Sequence, residues 1–581
     1  MVRPRAAGCD QLIVKFARHG QIRQAVAVNV SHLLSAVPVF GAAKTMRQGF
    51  HARPRRHRLS DQITCSTHVI VNLRQMSKIR LDAFLGIDVG TTGVRCLMVD
   101  ETGRVLSEAT ADYPLYSPHP GWSEQRPEEW WEATRKAVVE VARAAGPHVG
   151  GIGLTGQMHG AVFLDANDRV IRPALLWNDQ RTAAQCETIT RLVGAERLAE
   201  ITGNPALTGF QAPKVIWFRE EEPRSYERLR RLLLPKDYVR LQLTGDSATD
   251  ASDASGTLLF DIRKRNWSAE ILDALEIPSG WLPAVFEGPE PAGALRADLA
   301  RELGLPAGIP VAAGAGDNAG AAIGNGIIAE GLASCSIGTS GVLFSHSEEL
   351  VRDATGRIHA FCHAVPARYH LMGVTLAAGG ALSWWRDVVH AGDYEDLGQL
   401  AGGVPPGSEG LVFLPYLSGE RSPHLDPLAR GAFFGLSSRH GAAHLTRAVM
   451  EGVAFSLRDS FEIMAGLGVA IAEIRVTGGG AKSALWRQML ADILGCRIVR
   501  TTADQGPAYG AALLAGVAAG MYPDVERACD RIGVRPDANE PDPATASIYD
   551  DYYSSYRDLY PATVSAMHKL SGLASRARPL I

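Results

Sequence analysis

From residue 83 onward the apolar positions come in short bursts separated by Gly and Asp. Residues 84–88 form an apolar run closed by Asp88, Gly90 and Gly93 mark a turn, and 94–99 is apolar again. Asp100 and Gly103 mark a second turn, after which 104–110 alternates. Short runs bounded by turn-forming residues predict three strands in a β-meander. Over 127–145 the period changes. Trp130, Trp131, Ala137, Val138 and Val141 share one side of a 3.6-residue repeat, which predicts an amphipathic helix. A strand over 149–154 follows and runs into Thr155-Gly-Gln-Met-His-Gly160.

The opening recurs about 245 residues later, where 331–336 leads into Ile337-Gly-Thr-Ser-Gly341 and an apolar return over 342–344. A strand, a G-T-[ST]-G turn and a returning strand in each half predict a duplicated α/β domain with a ligand held between the copies. The Gly-rich stretch 311–326 is placed near their junction, and the chain from 541 onward reads as a trailing helix with a loose tail.

Composition narrows this picture. At 581 residues the chain exceeds a single typical domain several-fold, so at least two large domains are expected. A formal net charge of −3 excludes a surface wholly committed to nucleic acid or anionic membrane. The eight cysteines stand singly, without zinc spacing, as expected of reduced thiols in a cytosolic protein. No apolar run is long enough for a membrane span, so a soluble, cytoplasmic protein is expected. Residues 1–82 differ: up to residue 80 they are rich in Arg and Lys, with Arg53, Arg55, Arg56 and Arg58 nearly adjacent, against only Asp10 and Asp61. Three readings fit: an organellar leader, a basic arm for a polyanion, or an upstream extension of a protein whose translation begins at Met76. The third is the expectation, since Met76 lies just before the first strand-like run.

The two hairpins carry the first chemistry. In Asp88-Val-Gly-Thr-Thr-Gly93 the glycines let backbone amides approach an anion, and Thr91 and Thr92 add hydroxyl donors. Asp88 repels phosphate but suits a hydrated magnesium that bridges phosphates. An ordinary tight turn explains the same letters. The second hairpin keeps glycines and hydroxyls in Gly338, Thr339 and Gly341 but has Ile337 where the first has Asp88. Two cradles with one metal-directed carboxylate fit a nucleotide's phosphates gripped from both sides, and neither is a Walker-type P-loop.

Four further segments leave two readings each. Gly478, Gly479 and Gly480 lie between a strand-like run and a helical one, where they either border adenosine or form a flexible loop. Asp317, followed by Asn318, is either a helix N-cap or the carboxylate that takes a proton from an attacking hydroxyl. Met158 and His159, flanked by glycines, are either substrate contacts or structural. Trp177-Asn-Asp-Gln-Arg181 is either a sugar-pocket wall or a surface turn.

Together these pieces resemble the FGGY family of carbohydrate kinases, within the larger actin, hexokinase and heat-shock ATPase fold, over about residues 83–560. The later family signature is kept in Gly431-Ala-Phe-Phe-Gly-Leu436, His444-Leu445 and Ala448-Val-Met-Glu451. The earlier one keeps Gly209, Lys214 and Trp217, with Gln211 where a small hydroxyl residue or proline is usual. Finer marks are Gly156-Gln-Met-His-Gly160, Trp177-Asn-Asp179 with Arg181, Leu234-Pro-Lys-Asp-Tyr238, Gly316-Asp-Asn318 and Phe413-Leu-Pro-Tyr-Leu-Ser-Gly-Glu-Arg421.

The resemblance implies two duplicated actin/hexokinase-like (ribonuclease H-like) domains around a central cleft. Residues 83–325 would hold the sugar and the base, and 326–581 the nucleotide. It implies ATP-dependent phosphorylation of D-xylulose to D-xylulose 5-phosphate with Mg2+. Asp317 would be the base, and Met158, His159 and Asn318 sugar contacts. Asp88 would stand near magnesium and the γ-phosphate, holding the metal through water, while Thr91, Thr92, Gly338 and Thr339 would hold phosphates. Trp384 and Gly478–Gly480 would border the adenosine. Other family substrates (ribulose, gluconate, fuculose or glycerol) are the nearest alternative, and a non-kinase ATPase of the actin or chaperone type is the remote one. A homodimer fits such enzymes; no nucleic-acid or membrane partner is expected.

Overall fold

The structure is a computed structural model that describes residues 11–18, 21–29, 83–145, 148–502 and 506–576. The chain divides into two units at Leu73/Arg74. In the first, β1 (Gln11–Arg18) pairs antiparallel with β2 (Gln21–Asn29). Met76, the expected start, lies outside the described residues, as do Cys9 and Cys65. The other six cysteines are buried and unpaired.

The larger unit is built on two sheets. The first contains β3 (Ala83–Val89), β4 (Gly93–Asp100), β5 (Val105–Asp112), β6 (Val149–Gly156), β7 (Pro291–Ala294), β8 (Pro310–Ala312) and the short β9 (Ala315–Gly316). Its order is β7-β8-β6-β3-β4-β5, with β9 also on β6. The meander β3-β4-β5 is antiparallel, whereas β6 joins β3, and β8 joins β6, in parallel. The helix between β5 and β6, α1 (Pro127–Ala145), buries Trp130, Ala137, Val138 and Val141 on one stripe, as its period predicts.

The second sheet repeats this plan. It comprises β10 (Gly331–Ile337), β11 (Gly341–Ser347), β12 (His359–Cys362), β13 (Tyr369–Thr375), β14 (Ile471–Thr477) and β15 (Arg497–Val499), ordered β12-β13-β11-β10-β14-β15. Its β13-β11-β10-β14-β15 matches β5-β4-β3-β6-β8 strand for strand: three antiparallel, then two parallel additions. The duplication read from the two hairpins is thus a duplication of whole sheets, with β12 as an added edge strand.

Helices of this unit include α2 (Pro235–Thr244), α3 (Asp317–Gly324), α4 (Gly379–Val388), α5 (Ala442–Gly466) and α6 (Ala484–Leu494). Two more follow, α7 (Gly506–Ala518) and the long α8 (Pro543–Arg576). Although α7 lies late in the chain, it packs on the first sheet. Its backbone sits so close to β3 and β6 that a Cβ at Gly86 would overlap the Ala508 carbonyl, and one at Gly153 the Ala511 carbonyl. A Cβ on Gly510 would overlap the Gly320 carbonyl of α3 in the same way. Small residues on both sides let backbones meet, and Ala508, Ala511, Ala512 and Ala515 complete a buried seam.

Candidate active site

The ends of β3, β6 and β9 bring the chemistry together. In the register of the parallel strands, Asp88 stands beside Thr155, Thr155 beside Ala315, and Gly156 beside Gly316. Asp317 follows at once as the first residue of α3. In parallel α/β sheets such carboxyl ends are where ligands collect, because helices start there with free N–H groups.

Asp317 is not the helix cap: Gly316 holds that position without a side-chain bond. The Asp317 carboxylate turns instead to Asn318, whose backbone N–H and side-chain amide both donate to Oδ1, at 2.7 and 2.9 Å. No described residue donates to Oδ2. Burial, with the Asp88 charge nearby, pushes the Asp317 pKa up to about 7, against the pull of the Asn318 bonds. Burial likewise raises Asp88 to about 6, opposed by the Thr155 hydroxyl at 3.2 Å and by the charge of Arg95. Two carboxyls thus stand at neighbouring strand ends, and the charge of Asp88 adds to the rise at Asp317.

Met158 and His159 follow β6, and Met158 lies against Gly316, the residue before Asp317. Gly316 leaves room for Met158: a Cβ there would meet Met158 Cγ at 2.9 Å and Sδ at 3.0 Å. His159 sits at φ +69°, a conformation that costs a non-glycine residue about 1–3 kcal/mol. Its Nδ1 lies 2.6 Å from the Gly256 carbonyl, so Nδ1 carries the proton and Nε2 is left as an acceptor. Burial drops its pKa to about 3, so the ring is neutral at physiological pH. Phe210 meets it edge-on with centroids 4.8 Å apart. The buried ammonium of Lys214 donates to the carbonyls of His159, Thr208, Gly209 and Phe210, which fixes the loop behind the histidine.

The first hairpin is pinned from outside. Gly90 N–H closes the turn onto the Gly93 carbonyl at 3.1 Å, and the Gly90 carbonyl accepts from Tyr113 and Gln157. Gln125 donates to the Thr91 carbonyl at 2.7 Å, and the Trp177 indole N–H to the Thr91 hydroxyl at 3.0 Å. That hydroxyl keeps its own proton to donate, and Thr92 is exposed beside it.

The second hairpin forms its own group. The start of α4 closes over it, with Gly379 N–H donating to the Gly338 carbonyl at 2.7 Å and Gly380 N–H to the Thr339 carbonyl at 3.0 Å. The triple glycine abuts the same turn: Gly478, at φ +83°, lies where a Cβ would meet the Ile337 carbonyl oxygen at 2.7 Å, while Gly479 faces open space. Trp384, on α4, is 38 % exposed and stacks nearly parallel on Phe413 at 6.0 Å, leaving a flat face to solvent.

Three contributors were not singled out in the sequence. Thr155 differs from other strand threonines only in its register beside Asp88. Gly256 supplies the carbonyl that sets the His159 tautomer, from 97 residues away. Arg421 sits in a noted motif, but nothing in the letters says where its side chain goes.

Fold and sequence agree with known proteins. Residues 83–324 match the N-terminal domain, and 333–519 the C-terminal domain, of the FGGY family of carbohydrate kinases. Similar proteins include the xylulose kinase of Escherichia coli K12, 41 % identical over 83 % of this chain and 100 % of that one. Among solved structures, a xyloylose kinase from Brucella ovis is 42 % identical with a TM-score of 0.79, covering 83 % of this chain and 100 % of that chain. A gluconate kinase from Lactobacillus acidophilus has the same fold at 26 % identity and a TM-score of 0.81, covering 84 % and 100 %. The chain belongs to the FGGY family of carbohydrate kinases. It is a sugar kinase, a phosphotransferase that uses ATP. No helix among the described residues is long and apolar enough to cross a membrane.

Proposed function

We propose that this kinase transfers the γ-phosphoryl group of ATP to the terminal hydroxyl of D-xylulose, giving D-xylulose 5-phosphate and ADP, with Asp317 as the base. The observation that carries the role of Asp317 is its half-tied carboxylate: Oδ1 is held by Asn318 while Oδ2 has no donor. Oδ2 takes the hydroxyl proton as the sugar oxygen bonds to phosphorus, and the bond to the ADP oxygen breaks. A pKa near 7 suits a base that must accept a proton at neutral pH and later release it. The choice of D-xylulose rests on the xylulose kinases at about 40 % identity over most of the chain.

In this reading residues 83–325 hold the sugar and 326–581 the nucleotide. Met158, neutral His159 and Asn318 line the sugar, with His159 Nε2 accepting from a hydroxyl. Thr91, Thr92, Gly338 and Thr339 face the phosphates, and Trp384 with Gly478, Gly479 and Gly480 borders adenosine. Magnesium fits the donor set. Among the described residues no group of three or more His, Cys, Asp or Glu side chains could hold a metal ion. Asp88, a single carboxylate at a strand end, would hold a hydrated Mg2+ through water. When bound it would neutralise phosphate charge.

The test is a panel of sugars with ADP release coupled to a visible reaction. D-xylulose should give the highest kcat/KM, ahead of D-ribulose, gluconate and glycerol. A higher kcat/KM for any of those three would overturn the substrate assignment.

A further inference from the structure

Arg421 comes from the second half of the chain, yet it stands against the first. A Cβ at Gly209 would lie 3.8 Å from its Nη2. Its charge is felt by the buried rings of His159 and His359, each of which it discourages from protonating. Its sequence neighbour Glu420 is the obvious counter-ion but is occupied. Glu420 Oε2 accepts from the Thr375 hydroxyl at 2.6 Å, and Oε1 accepts from Leu376 N–H at 2.9 Å and from Arg421's own backbone N–H at 2.7 Å. Among the described residues no acceptor receives a hydrogen bond from the guanidinium and no carboxylate pairs with it. Burial accordingly lowers its pKa.

A half-buried guanidinium offers five donors and no acceptor, and leaving it unmatched costs stability. Such a group is complementary to a ligand oxygen that can only accept. The side chains around it narrow the ligand. His159, with Nδ1 committed to Gly256, presents an acceptor, which suits a hydroxyl. Arg421 presents donors, which suit a carbonyl oxygen. Met158, beside His159 at Gly256, packs on its other side against Gly316, the residue before Asp317, where the reacting hydroxyl belongs in the proposed reaction. A ketose carries a carbonyl at one end and a phosphorylatable hydroxyl at the other, and a polyol lacks the carbonyl.

We propose that Arg421 is a specificity-determining residue that donates hydrogen bonds to the carbonyl-bearing end of a ketose and so selects ketoses over the corresponding polyols. The inference rests on the reading of the substrate as a ketose. It also gives the second half of the molecule a contact with the sugar. Arg421 is tied through Glu420 to Thr375, and Thr375 packs where a Cβ of Gly341, in the second hairpin, would touch its methyl at 2.7 Å.

The experiment measures the KM of D-xylulose, the inhibition constant of xylitol (the same carbon chain with the carbonyl reduced) and the KM of ATP. It uses the full-length wild type, Arg421→Met and Arg421→Lys, with thermal melting of each. Losing a charged hydrogen bond should raise the D-xylulose KM of Arg421→Met on the order of 10- to 100-fold. Xylitol binding should change less than about threefold, since the contact it lacks is the one removed. The ATP KM should stay unchanged, and Arg421→Lys, which keeps the charge but not the planar fork, should fall between. Equal weakening of D-xylulose and xylitol would overturn the proposal, as would a rise in the ATP KM alone, which would assign the guanidinium to phosphate. If Arg421→Met melts below the assay temperature, the same comparison on Arg421→Lys decides. A wild type that prefers another ketose would overturn the substrate assignment only, and Arg421 is then judged on that ketose and its polyol.

Discussion

Asn318 holds one oxygen of Asp317 twice and leaves the other alone. With donors at 2.7 and 2.9 Å on Oδ1 and none on Oδ2, the carboxylate has a fixed orientation and one open proton-accepting position. The same geometry sets the pH response. Asp317, pushed up to about 7 by burial and then by Asp88, is protonated and idle below that pH. The kcat of the wild type should therefore rise about tenfold per pH unit up to about 7 and then level off. Asn318→Ala removes a donor that favours the charged form and should move this limb to higher pH. Asp88→Asn removes a repelling charge and should move it to lower pH. A pH–rate series on the three proteins checks both signs, and shifts in the same direction would contradict the arrangement.

Room for the Met158–His159 pair comes from two distant glycines. A Cβ at Gly256 would meet His159 Nδ1 at 2.7 Å, Cε1 at 2.8 Å and Met158 Cε at 3.1 Å, so something must shift. Gly256→Ala should displace the imidazole and raise the sugar KM about tenfold, leaving the ATP KM within about twofold. Initial-rate kinetics with each substrate varied separate the two.

The seam between α7 and the first sheet is a stability element. Because a side chain at Gly153 would overlap the Ala511 carbonyl, Gly153→Ala must push α7 off the sheet. A loss of about 3 kcal/mol or more is expected, read as a fall in the urea midpoint. The control is Gly479→Ala, whose Cβ would face open space and whose backbone needs no positive φ. It should leave the midpoint unchanged.

How much of this was legible in the letters depended on distance along the chain. The hairpins at Asp88–Gly93 and Ile337–Gly341, the helix over 127–145 and the strand before Thr155 declare themselves through local periodicity and turn residues, and each is present. That two whole sheets repeat was only hinted at, since the match lies in strand order and not in composition. The seam of α7 was invisible, because a helix of alanines and glycines does not say which sheet it will cover. The site divided in the same way. Asp88, Met158, His159 and Asp317 end neighbouring strands, so their motifs mark the place. Gly256 meets His159, and Arg421 approaches Gly209, through tertiary packing, which leaves no local trace.

The account turns on Asp317 as the proton acceptor, and one variant tests it most directly. Asp317→Asn keeps the side chain's size and its place at the start of α3 while removing the base. D-xylulose binding measured by calorimetry should stay within about threefold of wild type, while single-turnover phosphoryl transfer at pH 8 falls by about 10²–10⁴. Transfer at the wild-type rate, with sugar binding intact, would contradict the assignment.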